Sequence, residues 1–244
     1  MDRMIYTSMS GAKAAMDRQD ALANNLANVS TNGFRAELEA FRSVPVRGDG
    51  ASTRAFSLET SIGYDPTPGT MTETGRNLDI AMNGNAWLGV QALDGTEAYT
   101  RAGSLQVSPD GLLVTTTGLQ VQSDGGGPIT IPQGATVTIG SDGTVTAKTA
   151  DSPRPLPVGR VKLVTPDAAL QRGTDGLFRA ADGNDLPDDP AATLTDGTLE
   201  GSNVSPVETM VGMIAAARQF EQQMKLLQIA QTQGQEAAKL LSTS

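Results

Sequence analysis

Histidine and cysteine are both absent from this chain of 244 residues, although they carry much of the acid–base, nucleophilic and zinc chemistry of proteins. Their absence excludes Ser-His-Asp and Cys-His catalytic sites, nearly all zinc sites and any disulfide. Two carboxylates could in principle hydrolyse a glycoside. However, the 27 acidic residues offer no basis for choosing a pair, and an aromatic content of 4% leaves little to line a sugar cleft. We therefore predict that the chain is not an enzyme and has no catalytic, cofactor-binding or metal site.

Aspartate residues that precede glycine are a further candidate, because Asp-rich loops can bind calcium. The stretch Asp182–Asp185 reads DGND, and Leu186 follows at a position where an EF-hand loop needs a ligand. Eight Asp-Gly pairs lie between Asp49 and Gly197, but they do not recur every nine residues as a calcium-binding β-helix requires. Asp-Gly is also a preferred dipeptide of tight hairpin turns, and we favour this explanation.

Four asparagines form a cluster near the N-terminus: Asn24, Asn25, Asn28 and Asn32. Asparagine is a mediocre helix former, so one interpretation is a helix that frays at its end. The other is that these amides form hydrogen bonds across a contact between subunits and fix its geometry. Asn24 and Asn28 are one helical turn apart on one face, and both interpretations remain open.

The distribution of proline shows which elements could position such residues. All 13 prolines lie between Pro45 and Pro206, so long helices are expected only at the two ends of the chain. The N-terminal helix should end near Asn28, before the turn dipeptide Asn32-Gly33. Its predicted seam recurs in steps of four and three residues, the spacing of a coiled coil: Ile5, Met9, Ala12, Met16, Gln19, Ala23 and Leu26.

The C-terminal end repeats this spacing after a well-marked start. Ser205 is a natural N-cap, Pro206 suits the first helical position, and Glu208 stands where a capping box needs it. A single helix is marginally stable in water, so we expect the apolar stripe of each helix to be covered. An ordinary helix pair docked on a globular core would show similar spacing. The predicted seam is Met210, Met213, Ala217, Phe220, Met224, Leu227, Gln231, Gly234, Ala238 and Leu241.

The middle of the chain contains short β-branched segments separated by Asp-Gly pairs, which predicts antiparallel hairpins. The predicted fold class is therefore α+β, with long terminal helices that form a coiled-coil domain and an inserted, mostly antiparallel β domain. We place the helical domain at residues 1–33 plus 206–244, an extended connecting segment at 34–80 and the β-rich domain at 81–205. The net charge is −8 over residues 46–199 and near zero at both ends, and no basic patch for nucleic acid is visible.

Five segments resemble the flagellar axial proteins of the bacterial rod and hook. Ala23–Phe34 reads ANNLANVSTNGF, which is similar to the signature of these proteins. Thr74–Ala81 (TGRNLDIA), Tyr99–Leu105 (YTRAGSL) and Leu199–Val204 (LEGSNV) resemble further family segments. The opening Met1–Ala12 (MDRMIYTSMSGA) is similar to proximal-rod rather than distal-rod members. The resemblance covers the whole chain; one departure is that Asn-Gly-Asn precedes Trp87 where the family has a Gly-rich turn.

This resemblance implies a structural subunit of the proximal rod, the drive shaft that transmits motor torque across the periplasm. In such proteins the terminal helices form an inner coiled-coil layer and the β domain lies outside it. The implied partners are other copies of the chain, other proximal-rod proteins, the distal-rod protein and, transiently, the export apparatus and the rod cap. Neither nucleic acid nor membrane insertion is expected. The N-terminus lacks the apolar run of a cleaved signal peptide, so we expect a route without a cleaved leader, and the resemblance implies type III export to the basal body.

Fifteen residues are expected at contacts between subunits. They are Ile5, Met9, Met16, Asn24, Asn25, Leu26, Asn28, Asn32, Gly33, Phe34, Met210, Met213, Phe220, Met224 and Leu227. Three other functions remain as alternatives: a distal-rod or hook subunit, an enzyme that acts on the cell wall, and a soluble helical scaffold with a β domain that binds cargo. The last alternative predicts that the termini are ordered in the monomer.

Overall fold

Two long helices stand at the ends of the chain. The structure, a computed structural model, describes residues 2–45, 55–149 and 154–242. Helix α1 spans Asp2–Ala27 and helix α2 spans Pro206–Ser242, so both helix boundaries confirm the prediction. Glu208 lies in the first turn of α2, and the Thr209 N–H donates to the Ser205 carbonyl at 3.0 Å. Neither helix has a stretch within the described residues that is long and apolar enough to cross a membrane.

Between the helices the chain forms short strands, and every strand pair in the described ranges is antiparallel, as predicted. The strands are β1 (Glu37–Pro45), β2 (Ala55–Tyr64), β3 (Met71–Glu73), β4 (Ile80–Met82), β5 (Trp87–Gln91), β6 (Glu97–Thr100), β7 (Leu105–Val107), β8 (Leu113–Thr115), β9 (Gln120–Val121), β10 (Thr136–Ile139), β11 (Thr144–Lys148), β12 (Leu156–Arg160), β13 (Leu163–Val164), β14 (Gln171–Arg172), β15 (Phe178–Arg179), β16 (Leu194–Asp196) and β17 (Thr198–Glu200).

The chain divides into two units. Unit 1 contains α1, the β1–β2 hairpin and α2, whereas unit 2 consists of residues 29–36 and 65–203. The hairpin therefore groups with the helices. Its register pairs Glu37 with Tyr64 and shifts between Ala40 and Phe41, which indicates a β-bulge. Residues 34–80, which we predict to be an extended connecting segment, include strands β1 to β3 and the start of β4.

Unit 2 is built around an eight-stranded sheet in the order β14-β15-β6-β5-β9-β8-β7, with β13 paired to β5. A three-stranded sheet, β10-β11-β12, contributes to the same apolar cluster. On β10 the buried Val137 and Ile139 alternate with the exposed Thr136 and Thr138, the period-two pattern of a half-buried strand. The largest fully buried apolar side chains of the cluster are Ile80, Met82, Leu88, Leu105, Leu113, Ile129, Leu163, Leu194 and Val90.

Asp-Gly turns close several of these hairpins. In the β5–β6 turn, Asp94 accepts hydrogen bonds from the Thr96 backbone N–H at 2.9 Å and from its hydroxyl at 2.6 Å. Asp142 accepts the same two bonds from Thr144 in the β10–β11 turn. Gly95 and Gly143 have φ angles of 83° and 84°, which glycine adopts without strain. The hydrogen bonds from the two threonines hold the pKa of Asp94 and of Asp142 below the usual value.

The lowered pKa values of Asp94 and Asp142 predict how the stability of unit 2 changes in acid. A carboxylate whose pKa is lower in the folded state stabilises the fold above its unfolded pKa of about 3.9, and this stability is lost as pH falls through the folded pKa. The free energy of unfolding should therefore fall below about pH 4. Asp94→Asn and Asp142→Asn keep an acceptor oxygen but cannot titrate, so the double variant should show a shallower fall. Urea denaturation at several pH values measures this, and an unchanged pH slope would contradict the prediction.

Candidate subunit interface

Helices α1 and α2 pack against each other in antiparallel directions. A Cβ atom added at Gly11 would lie 3.0 Å from the Gln223 side chain, and one added at Gly212 would lie 3.2 Å from Leu22. Both glycines therefore permit the close approach of the two helices. Gly11 lies beside Gln223, and Leu22 lies beside Gly212. Two residues of α1 and α2 that lie at the same height along the helix pair therefore have numbers that add up to about 234.

The face of α1 that packs inward carries small side chains. Ser8, Ala12, Ala15 and Asn25 are buried, and Leu22 is half-buried. Of the predicted seam, only Ala12 is buried; Ile5, Gln19 and Leu26 are half-buried, and Met9, Met16 and Ala23 are exposed. Because the buried residues are small, they bring the helices together but bury little apolar surface.

The inward stripe of α2 recurs every three and four residues, and its members are buried or half-buried: Thr209, Met213, Ala216, Phe220, Gln223, Leu227 and Ala230. Met213, Phe220 and Leu227 belong to both this stripe and the predicted seam. Met210 and Met224 are 51% and 40% exposed. The buried stripe of α2 therefore recurs every 3.5 residues on average, and it forms the contact with α1. Two methionines of the predicted seam, Met210 and Met224, lie outside that contact.

The asparagine cluster holds the end of α1 to strand β1. The Asn25 side chain accepts from the Glu37 backbone N–H at 2.7 Å and donates to the Glu37 carbonyl at 3.0 Å. In this way the side-chain amide takes the place of a neighbouring strand. Asn24 Nδ2 donates to Glu37 Oε2 at 2.7 Å, and Asn28 Nδ2 donates to the Asn24 carbonyl at 2.9 Å. These hydrogen bonds lie within the chain, so the amides shape the subunit itself.

The turn that follows α1 belongs to unit 2. Gly33 has a φ angle of 69°, and its N–H donates to the Glu200 carbonyl at 2.7 Å. Phe34 is buried, and the Arg172 guanidinium lies over its ring at 4.5 Å, a distance typical of a cation–π contact. Asn32 is half-buried. The Asn203 side chain accepts from the Ala36 N–H at 2.7 Å and donates to the Asp65 and Thr67 carbonyls.

A buried ion triad, which we define as Arg35, Arg101 and Glu200, joins three distant parts of unit 2. Glu200 Oε1 lies 2.8 Å from Arg35 Nη2, and Glu200 Oε2 lies 2.6 Å from Arg101 Nη2. The side chains are no more than 3% exposed. One carboxylate facing two guanidinium groups leaves an excess positive charge, which is compensated by carbonyl oxygens. Arg101 donates to the carbonyls of Met82, Gly84 and Ala86, and Arg35 donates to that of Thr67.

Arg101 and Glu200 lie within two of the family-like segments, YTRAGSL and LEGSNV, and neither they nor Arg35 are among the predicted site residues. Charged residues are rarely fully buried unless they are paired, and no local pattern pairs residues that are about a hundred positions apart. The available signal was a single charged residue in each of two segments that otherwise consist of uncharged residues. This signal indicates that the two segments are important, but it does not show that they contact each other.

Comparison with known proteins gives matches along nearly the whole chain. Three family models match: "Flagella basal body rod protein" at residues 5–35, "Flagellar hook protein FlgE/F/G D1 domain" at 81–147 and "Flagellar basal body rod FlgEFG protein C-terminal" at 195–240. The flagellar basal-body rod protein FlgF of Salmonella typhimurium is 47% identical over 100% of both chains. FlgF of Caulobacter vibrioides is 36% identical over 93% of both, and FlgG of Bacillus subtilis is 33% identical over 93% of this chain and 94% of its own.

Removing a charge from the buried triad should destabilise the protein more than removing a charge from a more exposed ion pair. Glu200→Gln removes the only carboxylate of the triad and leaves two buried guanidinium groups without it, which should lower the free energy of unfolding by about 3–5 kcal/mol. Arg179→Gln is the matched control, because Arg179 pairs with Asp175 and Asp94 at a more exposed site; it should cost less than about 1 kcal/mol. Trp87, the single tryptophan, is buried in unit 2 and reports urea unfolding by fluorescence. Similar costs for the two variants would contradict the assignment.

Gly33 provides a second test. Its φ angle of 69° strains any other residue, and an added Cβ would lie 2.2 Å from the Arg101 backbone. Gly75 has a φ angle of 68° but open space around its Cβ position. Gly75→Ala should therefore cost only the backbone strain of about 1–2 kcal/mol. Gly33→Ala should cost roughly 1–3 kcal/mol more, because the Arg101 backbone must move. Urea denaturation of both variants measures the difference, and equal losses would mean that the close approach has no energetic weight.

Proposed function

The chain belongs to the FlgF family of flagellar basal-body rod proteins, and we propose that it is a subunit of the proximal rod that transmits torque across the periplasm. Members of this family are structural proteins of the flagellum, not enzymes. Relatives named FlgF match over the full chain at 47% and 46% identity, whereas a relative named FlgG matches at 33%. This difference favours the proximal-rod role over that of a distal-rod or hook subunit.

The apolar surface that remains on α2 carries this proposal. Successive residues of a helix are rotated by about 100°, so Val207, Met210, Val211 and Ile214 lie on the face opposite the stripe that meets α1. Their side chains are 51–71% exposed. A helix with apolar residues on two opposite faces is typical of a helix that is covered on both sides. Since α1 covers one face, the second face is available to another subunit.

The exposed residues of α1 support the same conclusion. Tyr6, Met9 and Met16 are 63%, 61% and 51% exposed. Together with the α2 residues they form more exposed apolar surface than isolated surface side chains explain. In the assembly that we propose, the helices form a coiled-coil layer and partner with other copies of the chain and with other rod proteins. The fifteen interface residues of the sequence analysis remain our candidates, and export without a cleaved signal peptide remains part of the proposal.

The proposal predicts a defect in assembly without a defect in folding. Ile214→Glu places a charge on an exposed position, so the isolated protein should keep its helical circular dichroism and its urea midpoint. In the assembled rod the same charge would be buried against apolar surface, which is unfavourable unless it is paired. The variant should therefore abolish swimming and reduce the number of basal bodies in electron micrographs.

Ile214→Leu is the matched control, because it keeps an apolar side chain of the same size and should swim normally. The test is made in the bacterium that encodes the chain, with the chromosomal copy replaced by each variant. If Ile214→Glu cells swim as well as the control, the second face of α2 is not an assembly surface and the proposal loses its main support.

A further inference from the structure

Two exposed surfaces of unit 1 differ in their height along the helix pair. We call the first the α1 stripe, which contains Tyr6, Met9, Lys13 and Met16, and the second the α2 back patch, which contains Val207, Met210, Val211 and Ile214. The members of each recur at helical spacing and share one face of their helix. The α1 stripe spans about 15 Å and the α2 back patch about 10 Å along the helix axis, at about 1.5 Å per residue.

The packing of the two helices fixes the difference in height. Gly11 meets Gln223 and Leu22 meets Gly212, so the α1 stripe lies level with residues 218–228 of α2. Met16 is level with residue 218 and Met9 with residue 225, so Val207 and Ile214 of the α2 back patch lie eleven residues further toward the N-terminus of α2. At about 1.5 Å per residue this separation is about 16 Å along the helix axis.

We propose that the α1 stripe of one copy packs on the α2 back patch of the next copy, with the two copies displaced by about 16 Å along the helix axis. This inference rests on the proposed function and specifies which surfaces of neighbouring subunits meet. The neighbouring helices run antiparallel, as they do within one chain. Met9 then faces Ile214, and Met16 faces Val207.

A contact without displacement is the alternative, and it would be favoured by charge. Copies at the same height would bring Lys13 near Glu221. However, Met9 and Met16 would then face Lys225 and Arg218, and the α2 back patch would stay in water. Exposed ion pairs contribute little, whereas each buried Val, Ile or Met side chain contributes more. The displaced contact is therefore the more favourable of the two.

The chemistry of the α1 stripe also identifies a second copy as the occupant. Lys13 is the one charged member of the stripe, and in the displaced contact it lies about two residues from Glu208, which is exposed at the edge of the α2 back patch. The charge on each surface thus has an opposite charge within reach on the other. Because the stripe and the patch are different surfaces, each copy offers one of each to its neighbours, and such contacts build open helical assemblies.

The absence of cysteine allows a direct test by cross-linking. The double variant Met16→Cys/Val207→Cys should form disulfides between copies in oxidised, purified basal bodies, seen as dimers and higher multimers on non-reducing gels. Within one chain, Met16 lies level with residue 218, about 16 Å from the height of Val207, so a disulfide inside the chain is excluded by its Cα limit of about 7 Å. The control variant Tyr6→Cys/Ile229→Cys places cysteines at one height and should form roughly tenfold fewer multimers.

The outcomes separate this inference from the proposed function. If the cysteine variants swim but only the level pair forms multimers, the displacement is wrong and the rod function stands. If Val207→Cys alone gives as many dimers as the double variant, the patch meets its own copy and the inference is also wrong. If swimming cells contain the chain but neither pair cross-links, its neighbour is not another copy. If basal bodies lack the chain, the proposed function itself fails.

Charge reversal gives an independent test of the same contact. Lys13→Glu and Glu208→Lys should each reduce the number of basal bodies by up to about fivefold, since each places like charges together. The double variant restores opposite charges and should recover to near the wild-type number. A double variant that is as poor as the sum of the single variants would overturn the pairing of these two surfaces.

Discussion

The burial of one carboxylate between two guanidinium groups is the interaction on which unit 2 depends. Glu200 receives Arg35 from the turn after α1 and Arg101 from the end of β6. Burial of either arginine without an anion would be unfavourable, and so would burial of Glu200 without a cation. The triad therefore couples three parts of the chain whose burial is favourable only in combination. Such a group disfavours any arrangement of the segments that keeps one of these charges buried without its partner.

The close approach of backbones makes this arrangement possible. Gly33 lies against the Arg101 backbone, and a Cβ atom at Gly103 would lie 1.6 Å from the Ile80 carbonyl oxygen. Side chains at these glycines would hold the segments apart and expose the triad to water. Asn203 and Asn25 act at the C-terminal end of the segment 29–36, where they accept hydrogen bonds from the adjacent backbone N–H groups of Ala36 and Glu37. The polar groups at this point are thus paired by side chains rather than by a sheet.

Local signals in the sequence predict the elements well and the contacts between them poorly. Proline, capping residues and the Asn32-Gly33 turn act over a few residues, so the boundaries of α1 and α2 and the antiparallel hairpins follow from them. The partner of a charged residue is not a local property, and for this reason the triad was not predicted. The inward face of α1 is also difficult to predict from local signals. Large apolar residues such as Met9 and Met16 suggest the seam, but the close packing at Gly11 is made by small residues.

The two units also differ in how they use charge. The middle of the chain carries nearly all of the net charge of −9, and its copies repel one another unless they are screened. The helices are nearly neutral and keep apolar side chains in water. An association that relied on unit 2 would work against this repulsion, whereas one that relies on the helices gains from the burial of Met, Val and Ile side chains. In the assembly that we propose, the helices would therefore supply the cohesion, and the charge of the acidic unit would disfavour association through unit 2.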